Sequence, residues 1–145
     1  MIIDAQLLFS DSQDITGGAS TSTNTLDMGA VRDIGTGEPL YLWINVEVAF
    51  TGASVTLVVA LQGDSTTTIT PDGTENVLII PALAAAGAIY FVRLRPASDP
   101  LQYRYLRLAY TPTGGAASLG AGTISAGLTH DIQRAVHYAD NVTIS

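Results

Sequence analysis

The sequence predicts an all-β protein, specifically a jelly-roll-like β-sandwich of about eight antiparallel strands. Apolar residues alternate with polar ones at a period of two in several short runs, which is the pattern of half-buried strands. Clusters of Gly, Pro, Ser, Thr and Asn separate these runs at intervals of roughly 8–12 residues. Eight strands fit two four-stranded sheets, the arrangement of a jelly roll. The length of 145 residues predicts a single domain, 1–145, of which 129–145 form a C-terminal tail.

The clearest strand spans residues 39–50, where every even-numbered position from 40 to 50 is apolar. A second alternating run at 55–61 follows a turn at Gly52-Ala53. Because the connection is short, we expect the two strands to pair as an antiparallel hairpin at the centre of a sheet. The core predicted from these two strands consists of Leu40, Leu42, Ile44, Val46, Val48, Val55, Leu57, Val59 and Leu61.

The other strands are shorter and have weaker patterns. We expect them at 2–9, 25–29, 77–80, 88–95, 103–110 and 119–128, separated by polar loops that include 16–24 and 63–76. Only residues 129–139 have possible helical character.

Charge and composition exclude several classes of protein. Thirteen acidic residues against six basic ones give a net charge of −7, which disfavours nucleic-acid binding. The longest apolar stretch, 78–92, contains Pro and Gly and is shorter than the ~20 residues that cross a bilayer. The first residues lack the basic n-region of a signal peptide, so we expect none, and there is no Cys. These features predict a soluble protein made in the cytosol, with neither nucleic acid nor membrane as partner.

No spacing typical of a catalytic or cofactor site is present, so we expect no enzymatic activity, no metal and no cofactor. His130 and His137 lie close to Asp131 and Asp140, and on a helix they could share one face with a metal ion. Two solvated histidines in a terminal tail are the favoured interpretation. The loop with Asp64 and Asp72 lacks the alternating carboxylates of a Ca²⁺ site, so an ordinary Pro-Asp-Gly turn explains it better.

Two strands direct aromatic and Arg side chains away from the predicted core. These residues are Tyr41, Trp43, Tyr103, Tyr105 and Arg107. Tyr, Trp and Arg are enriched at the centres of protein interfaces, so these residues form the predicted protein-interface site. The alternative is that another part of the same chain covers them.

Several segments form a recognisable set: IDAQLLFSD at 3–11, TLDMG at 25–29, RDIG at 32–35, GEPL at 37–40, TL at 56–57 and LQGD at 61–64. Together they resemble the cement-protein family of Bordetella-phage-like short-tailed bacteriophages. The resemblance covers most of the chain and is strongest over the first 64 residues.

The resemblance implies a sandwich that binds the outside of an icosahedral capsid and stabilises it, with the major capsid protein as partner. The protein would then lie on the capsid exterior of the virion, and in the host cytoplasm before assembly. We expect a homodimer, with a homotrimer as the alternative, from the outward aromatic residues, the low charge and the resemblance. The alternative function is a carbohydrate-binding module for phage adsorption, in which Tyr41, Trp43 and Tyr103 would stack on sugar rings.

Overall fold

The computed structural model describes residues 7–28, 40–94 and 99–129. These residues contain nine strands: β1 (Leu8–Asp14), β2 (Ser20–Thr21), β3 (Leu26–Asp27), β4 (Leu40–Val48), β5 (Thr56–Asp64), β6 (Gly73–Ile80), β7 (Ile89–Leu94), β8 (Tyr105–Thr113) and β9 (Thr123–Thr129). A short 3-10 helix, Asp99–Gln102, precedes β8.

The strands form two antiparallel sheets that pack face to face. The first sheet has the order β1-β9-β4-β7, and the second has the order β2-β8-β5-β6, with β3 also paired to β8. Only the connections β2–β3 and β5–β6 stay within one sheet. The sandwich predicted from the sequence is confirmed. The more specific assignment of the sandwich as a jelly roll stays a prediction. The observed strand order is compatible with that assignment.

The core lies between the sheets and is built from alternating residues of the central strands. Leu42, Ile44 and Val46 of β4 are fully buried on one side of it. Facing rows come from β5 and β8 in the other sheet: Leu57, Val59, Leu61, Leu106, Leu108 and Tyr110. Because successive side chains of a strand point to opposite faces, each of these rows is contributed by every second residue.

The predicted hairpin between β4 and β5 is wrong. Strand β4 pairs with β7 and β9, whereas β5 pairs with β6 and β8 in the opposite sheet. The turn at Gly52 exists, with a positive φ and a hydrogen bond from the Val55 N–H to the Gly52 carbonyl. However, Phe50 and Val55 on either side of it are both buried in the core, so the connection crosses the end of the sandwich.

One predicted core residue, Val48, is also wrong, because its side chain is 49% exposed. The pairing of β4 with β9 is irregular between Val46 and Val48, so the strict alternation of the strand ends there. The other eight predicted core residues are buried.

Several strand bounds differ from the prediction. Strand β6 begins at Gly73, inside the predicted loop 63–76, because its polar first half pairs with the end of β5. Strand β8 continues through Pro112 to Thr113. A proline is tolerated there because β2, the neighbour on one side, pairs only as far as Tyr110. Within the described residues the first strand is β1 at Leu8–Asp14, which extends beyond the end of the predicted 2–9. Residues 1–6 and most of 129–139 lie outside the described residues.

A buried hydrogen bond joins the two sheets. The hydroxyl oxygens of Ser10 in β1 and Tyr110 in β8 are 2.7 Å apart, and both residues are fully buried. Ser10 donates its only hydroxyl hydrogen to Oε1 of Gln13 at 2.6 Å, so Tyr110 must be the donor to Ser10. Burial raises the pKa of the Tyr110 hydroxyl far above its ordinary value, which keeps that proton in place.

The contrast between Ile44 and Val48 tests the core. We expect Ile44→Ala to lower the free energy of unfolding by about 2–5 kcal/mol, because it leaves a cavity between the sheets. Val48→Ala, on the same strand but half exposed, should change it by less than about 1 kcal/mol. Urea titration followed by circular dichroism measures both values. Equal losses for the two variants would contradict the assignment of Ile44 to the core and Val48 to the surface.

Candidate interaction surfaces

Four of the five predicted interface residues lie on opposite sides of the sandwich. Tyr41 and Trp43 belong to β4 and point away from the core of the first sheet. Tyr105 and Arg107 belong to β8 and point away from the core of the second sheet. The thickness of both sheets therefore separates the two sets, and they do not form one surface.

On the first sheet, the outward aromatic residues form rows across three strands. Tyr41 pairs with Arg93 of β7 on one side and with Thr129 of β9 on the other. In the next outward row, Trp43 lies between Phe91 of β7 and Gly127 of β9. Tyr41 and Phe91 are partly buried. This face therefore combines aromatic rings with a neighbouring guanidinium group.

Trp43 is outward on its strand, yet only 3% of its surface is exposed. The indole lies directly over Gly127, where a Cβ atom would sit only 3.1 Å from Cε2 and Cζ2 of the ring. Glycine at 127 therefore lets the indole approach the sheet. The chain itself covers Trp43, which is the alternative that the sequence left open, whereas Tyr41 keeps an accessible surface.

On the second sheet, Tyr105 and Arg107 occupy neighbouring outward positions of β8. The Nε–H of Arg107 donates to Oε1 of Gln62, its partner on β5, at 2.7 Å. Both Tyr105 and Arg107 are partly buried. The hydrogen bond orients the guanidinium group of Arg107 towards the neighbouring strand β5.

Tyr103 does not share a face with Tyr105, because β8 begins only at Tyr105. A Cβ atom at Gly63 would lie 3.0 Å from Cδ2 of Tyr103 and would also collide with the Pro100 carbonyl. Position 63 continues the inward row of β5, so Tyr103 and the 3-10 helix close one end of the core. Tyr103 is partly buried in this role.

Arg104 is a surface residue that the strand pattern missed. It forms a bidentate ion pair with Asp27 of β3, at 2.7 Å and 3.0 Å, and its Cζ atom lies 5.0 Å from the centroid of the Tyr105 ring. The hydrogen bond with Asp27 raises the pKa of Arg104 above its ordinary value. The signal in the sequence was the alternation Tyr-Arg-Tyr at 103–105. Its acidic partner, Asp27, lies far away in the sequence, and only the fold brings the two side chains together.

The carboxylate of Asp64 is occupied by its own loop. It accepts hydrogen bonds from the N–H and hydroxyl groups of Thr66 and from the N–H of Thr70. The backbone hydrogen bond from Thr66 is the main cause that lowers the pKa of Asp64. The side chain therefore organises the β5–β6 turn, which agrees with the interpretation of this loop as structural.

The search for a metal-binding cluster and for a membrane-spanning helix applies only to the residues that the structure describes. In residues 7–28, 40–94 and 99–129, no three His, Cys, Asp or Glu side chains lie close enough together to hold a metal ion. The same residues contain no helix that is long and apolar enough to cross a membrane. His130, His137, Asp131 and Asp140 lie outside the described residues.

Comparison with models of known protein families gives a match. The model of the family described as Bbp16 matches residues 9–128, which run from the second residue of β1 to near the end of β9. No curated protein matches the chain.

The burial of Trp43 is directly measurable, because it is the only tryptophan in the chain. We expect a blue-shifted fluorescence emission from the folded protein and quenching by acrylamide that is much weaker than in the unfolded chain. The protein in concentrated guanidinium chloride serves as the control for full exposure. Native quenching as efficient as that of the control would mean that the indole is accessible, contrary to the structure.

Proposed function

Because the chain belongs to the Bbp16 family, a family of Bordetella phage proteins, we propose that it is a cement protein of a tailed-phage virion. In this role it binds the outer surface of the icosahedral capsid and stabilises the shell by bridging capsomers. Its partner is the major capsid protein, and before assembly it is present in the host cytoplasm.

The observation that carries this proposal is the extent of the family match. Residues 9–128 include strands from both sheets and both of the outward faces described above. The family match therefore spans the residues that form both sheets. The resemblance of the N-terminal segments to cement proteins supports the specific role.

Stabilisation of the shell would follow from mass action. A protein that binds the assembled shell and not its dispersed subunits shifts the equilibrium towards the shell. Each contact needs only the ordinary area of about 800 Å² per partner. When two linked copies span two capsomers, the second contact forms at a high effective concentration, so many weak bridges resist separation together.

The geometry of the faces suits two different contacts. Tyr41 lies on one side of the sandwich, and Tyr105 and Arg107 lie on the other. One face would contact the shell, and the other would contact a second copy of the chain. We propose a homodimer, with a homotrimer as the alternative, and we assign these residues to its two contacts.

We also propose that the protein acts without catalysis and without a cofactor, because its role is mechanical. The alternative of a carbohydrate-binding module is weakened by one observation. Trp43, the side chain best suited to stack on a sugar ring, is buried in the free chain.

The cement function predicts selective binding to assembled shells. We expect the purified protein to sediment with shells of its own phage and to raise the temperature at which these shells dissociate. Dispersed capsid protein is the control, and it should show no binding at the same concentration. Differential scanning calorimetry and sedimentation measure the two effects. Equal binding to shells and subunits, or binding with no change in shell stability, would count against a cement role.

The oligomeric state is tested on the free protein by light scattering at micromolar concentration. We expect a mass of about twice the 15.1 kDa of the chain, because a closed two-fold arrangement is the commonest. A mass close to three chains would favour the homotrimer. A mass equal to that of one chain would mean that the free protein is a monomer, and therefore that no dimer exists in advance to bridge two capsomers.

A further inference from the structure

The outer face of the second sheet holds a continuous set of charged and aromatic side chains. Tyr105, at an outward position of β8, is paired with Asp64 of β5 on one side and with Asp27 of β3 on the other. The next outward residue of β8 is Arg107, which is paired with Gln62 of β5. Because paired strands lie about 4.8 Å apart, side chains at these neighbouring outward positions form one patch. We call the following residues the arginine patch: Asp27, Gln62, Arg104, Tyr105 and Arg107.

The carboxylates on either side of Tyr105 have partners within the chain. Asp27 binds Arg104 through two hydrogen bonds, at 2.7 Å and 3.0 Å, and Arg104 lies over the Tyr105 ring. Asp64 is only 4% exposed, and its carboxylate accepts hydrogen bonds from its own loop. Both acidic side chains are therefore engaged by groups other than Arg107.

Arg107 differs from Arg104 in the partner that the chain provides. Its Nε–H donates to the neutral amide oxygen of Gln62 at 2.7 Å. Within residues 7–28, 40–94 and 99–129, the ion pair is that of Arg104 with Asp27, so Arg107 has no carboxylate partner there. A guanidinium group has five N–H donors, and the bond to Gln62 uses one of them. The charge of Arg107 is thus uncompensated by the described chain, and a carboxylate is the planar acceptor that matches it.

The described neighbours of Arg107 across the sheet are uncharged. Thr74 of β6 is paired with Gln62, and Ala109 is the next outward residue of β8. On the other side of β8 lies the connection between β2 and β3, where residues 22–25 are Ser, Thr, Asn and Thr. A partner that brings a negative group to this position is therefore favoured by charge complementarity, although the whole chain has a net charge of −7.

We propose that the arginine patch is the face that binds the shell, and that Arg107 there pairs with a carboxylate on the outer surface of the major capsid protein. This inference rests on the proposed cement function and identifies which of the two outer faces makes the shell contact. Arg binds a carboxylate through two parallel hydrogen bonds. Tyr105 beside it adds a residue type that is enriched where contacts contribute most to affinity.

A second copy of the chain fits this face less well. In a two-fold contact the same face meets itself, so each Arg107 would be offered the charges of an identical arginine patch. The carboxylate in that patch, Asp27, is already bound to Arg104. Two uncompensated guanidinium groups would also be brought towards each other, which is unfavourable. The outer face of the first sheet, with Tyr41, then serves the contact between copies.

Replacement of Arg107 tests the contact in the full chain. We expect Arg107→Gln to weaken binding to shells of its own phage by about tenfold or more, because a charge-assisted contact is lost. Arg107→Lys keeps the charge without the planar fork, so its affinity should lie between those of Arg107→Gln and the original. Added salt should weaken binding of the original more steeply than binding of Arg107→Gln, since salt screens charge pairs. Sedimentation with shells measures binding, and thermal denaturation checks that each variant is folded.

The matched control is Ala116→Glu, which changes the net charge by the same amount as Arg107→Gln. Ala116 is exposed in the turn between β8 and β9, beyond the end of β8 that is opposite Tyr105. We expect this variant to bind shells as the original does. An equal loss of binding by Ala116→Glu would show that total charge and not a contact at Arg107 governs binding, and the inference would be wrong.

The chemistry of the partner is tested on the shell, independently of any variant. Shells whose surface carboxylates have been converted to amides, with a carbodiimide and ethanolamine, should bind the original protein about tenfold more weakly or worse. Sedimentation of the treated shells checks that they are intact. Undiminished binding to these shells would overturn the assignment of a carboxylate as the partner of Arg107.

The remaining outcomes separate this inference from the proposed function. Unchanged shell binding by Arg107→Gln would contradict the inference. Normal shell binding together with a smaller mass of Arg107→Gln in light scattering would assign the arginine patch to contact between copies. If the original protein does not bind shells, the cement function itself fails; if only the face is misassigned, the original binds and Arg107→Gln binds equally well.

Discussion

The structure depends on the packing of two apolar rows across the interior of the sandwich. The row of β4, centred on Ile44, faces the row of β5, centred on Val59, and both residues are fully buried. Each strand is hydrogen-bonded on both sides within its own sheet, so neither is free to pair with the other. Burial of these rows supplies the main driving force for folding, and the remaining strands take their places around them.

Polar contacts then define how the two sheets fit together. The hydrogen bond between Tyr110 and Ser10 crosses the core, and its loss would leave a buried hydroxyl group without a partner. At the end of the core, Tyr103 and Leu101 cover the last positions of β5. Since the interior is closed in these ways, the outer faces and the connecting loops remain for recognition.

The surface has two kinds of feature. The outer faces hold Tyr41 on one sheet and Tyr105 with Arg107 on the other, each supported by a neighbouring strand. The connection between β6 and β7 is different, because it holds Leu83, which has a φ of +58° and a side chain that is 57% exposed. The proposed bridging of shell subunits would require more than one contact surface, and separate surfaces on the two sheets of the sandwich would meet that requirement.

The alternation of apolar residues was sufficient to predict the sandwich, eight of the nine core residues and the outward direction of Tyr41 and Tyr105, because side-chain direction in a strand is a local property. The partner of each strand is not local, and the sequence wrongly paired β4 with β5. Likewise, only the tertiary structure shows that Trp43 is buried over Gly127 and that Arg104 contacts Asp27. These contacts join residues far apart in the chain, so they depend on which strands become neighbours. The segment after Leu83, which has a positive φ, is likewise held by contacts from far along the chain, since Phe50 donates to the Ala84 carbonyl and Gly87 donates to the Val46 carbonyl.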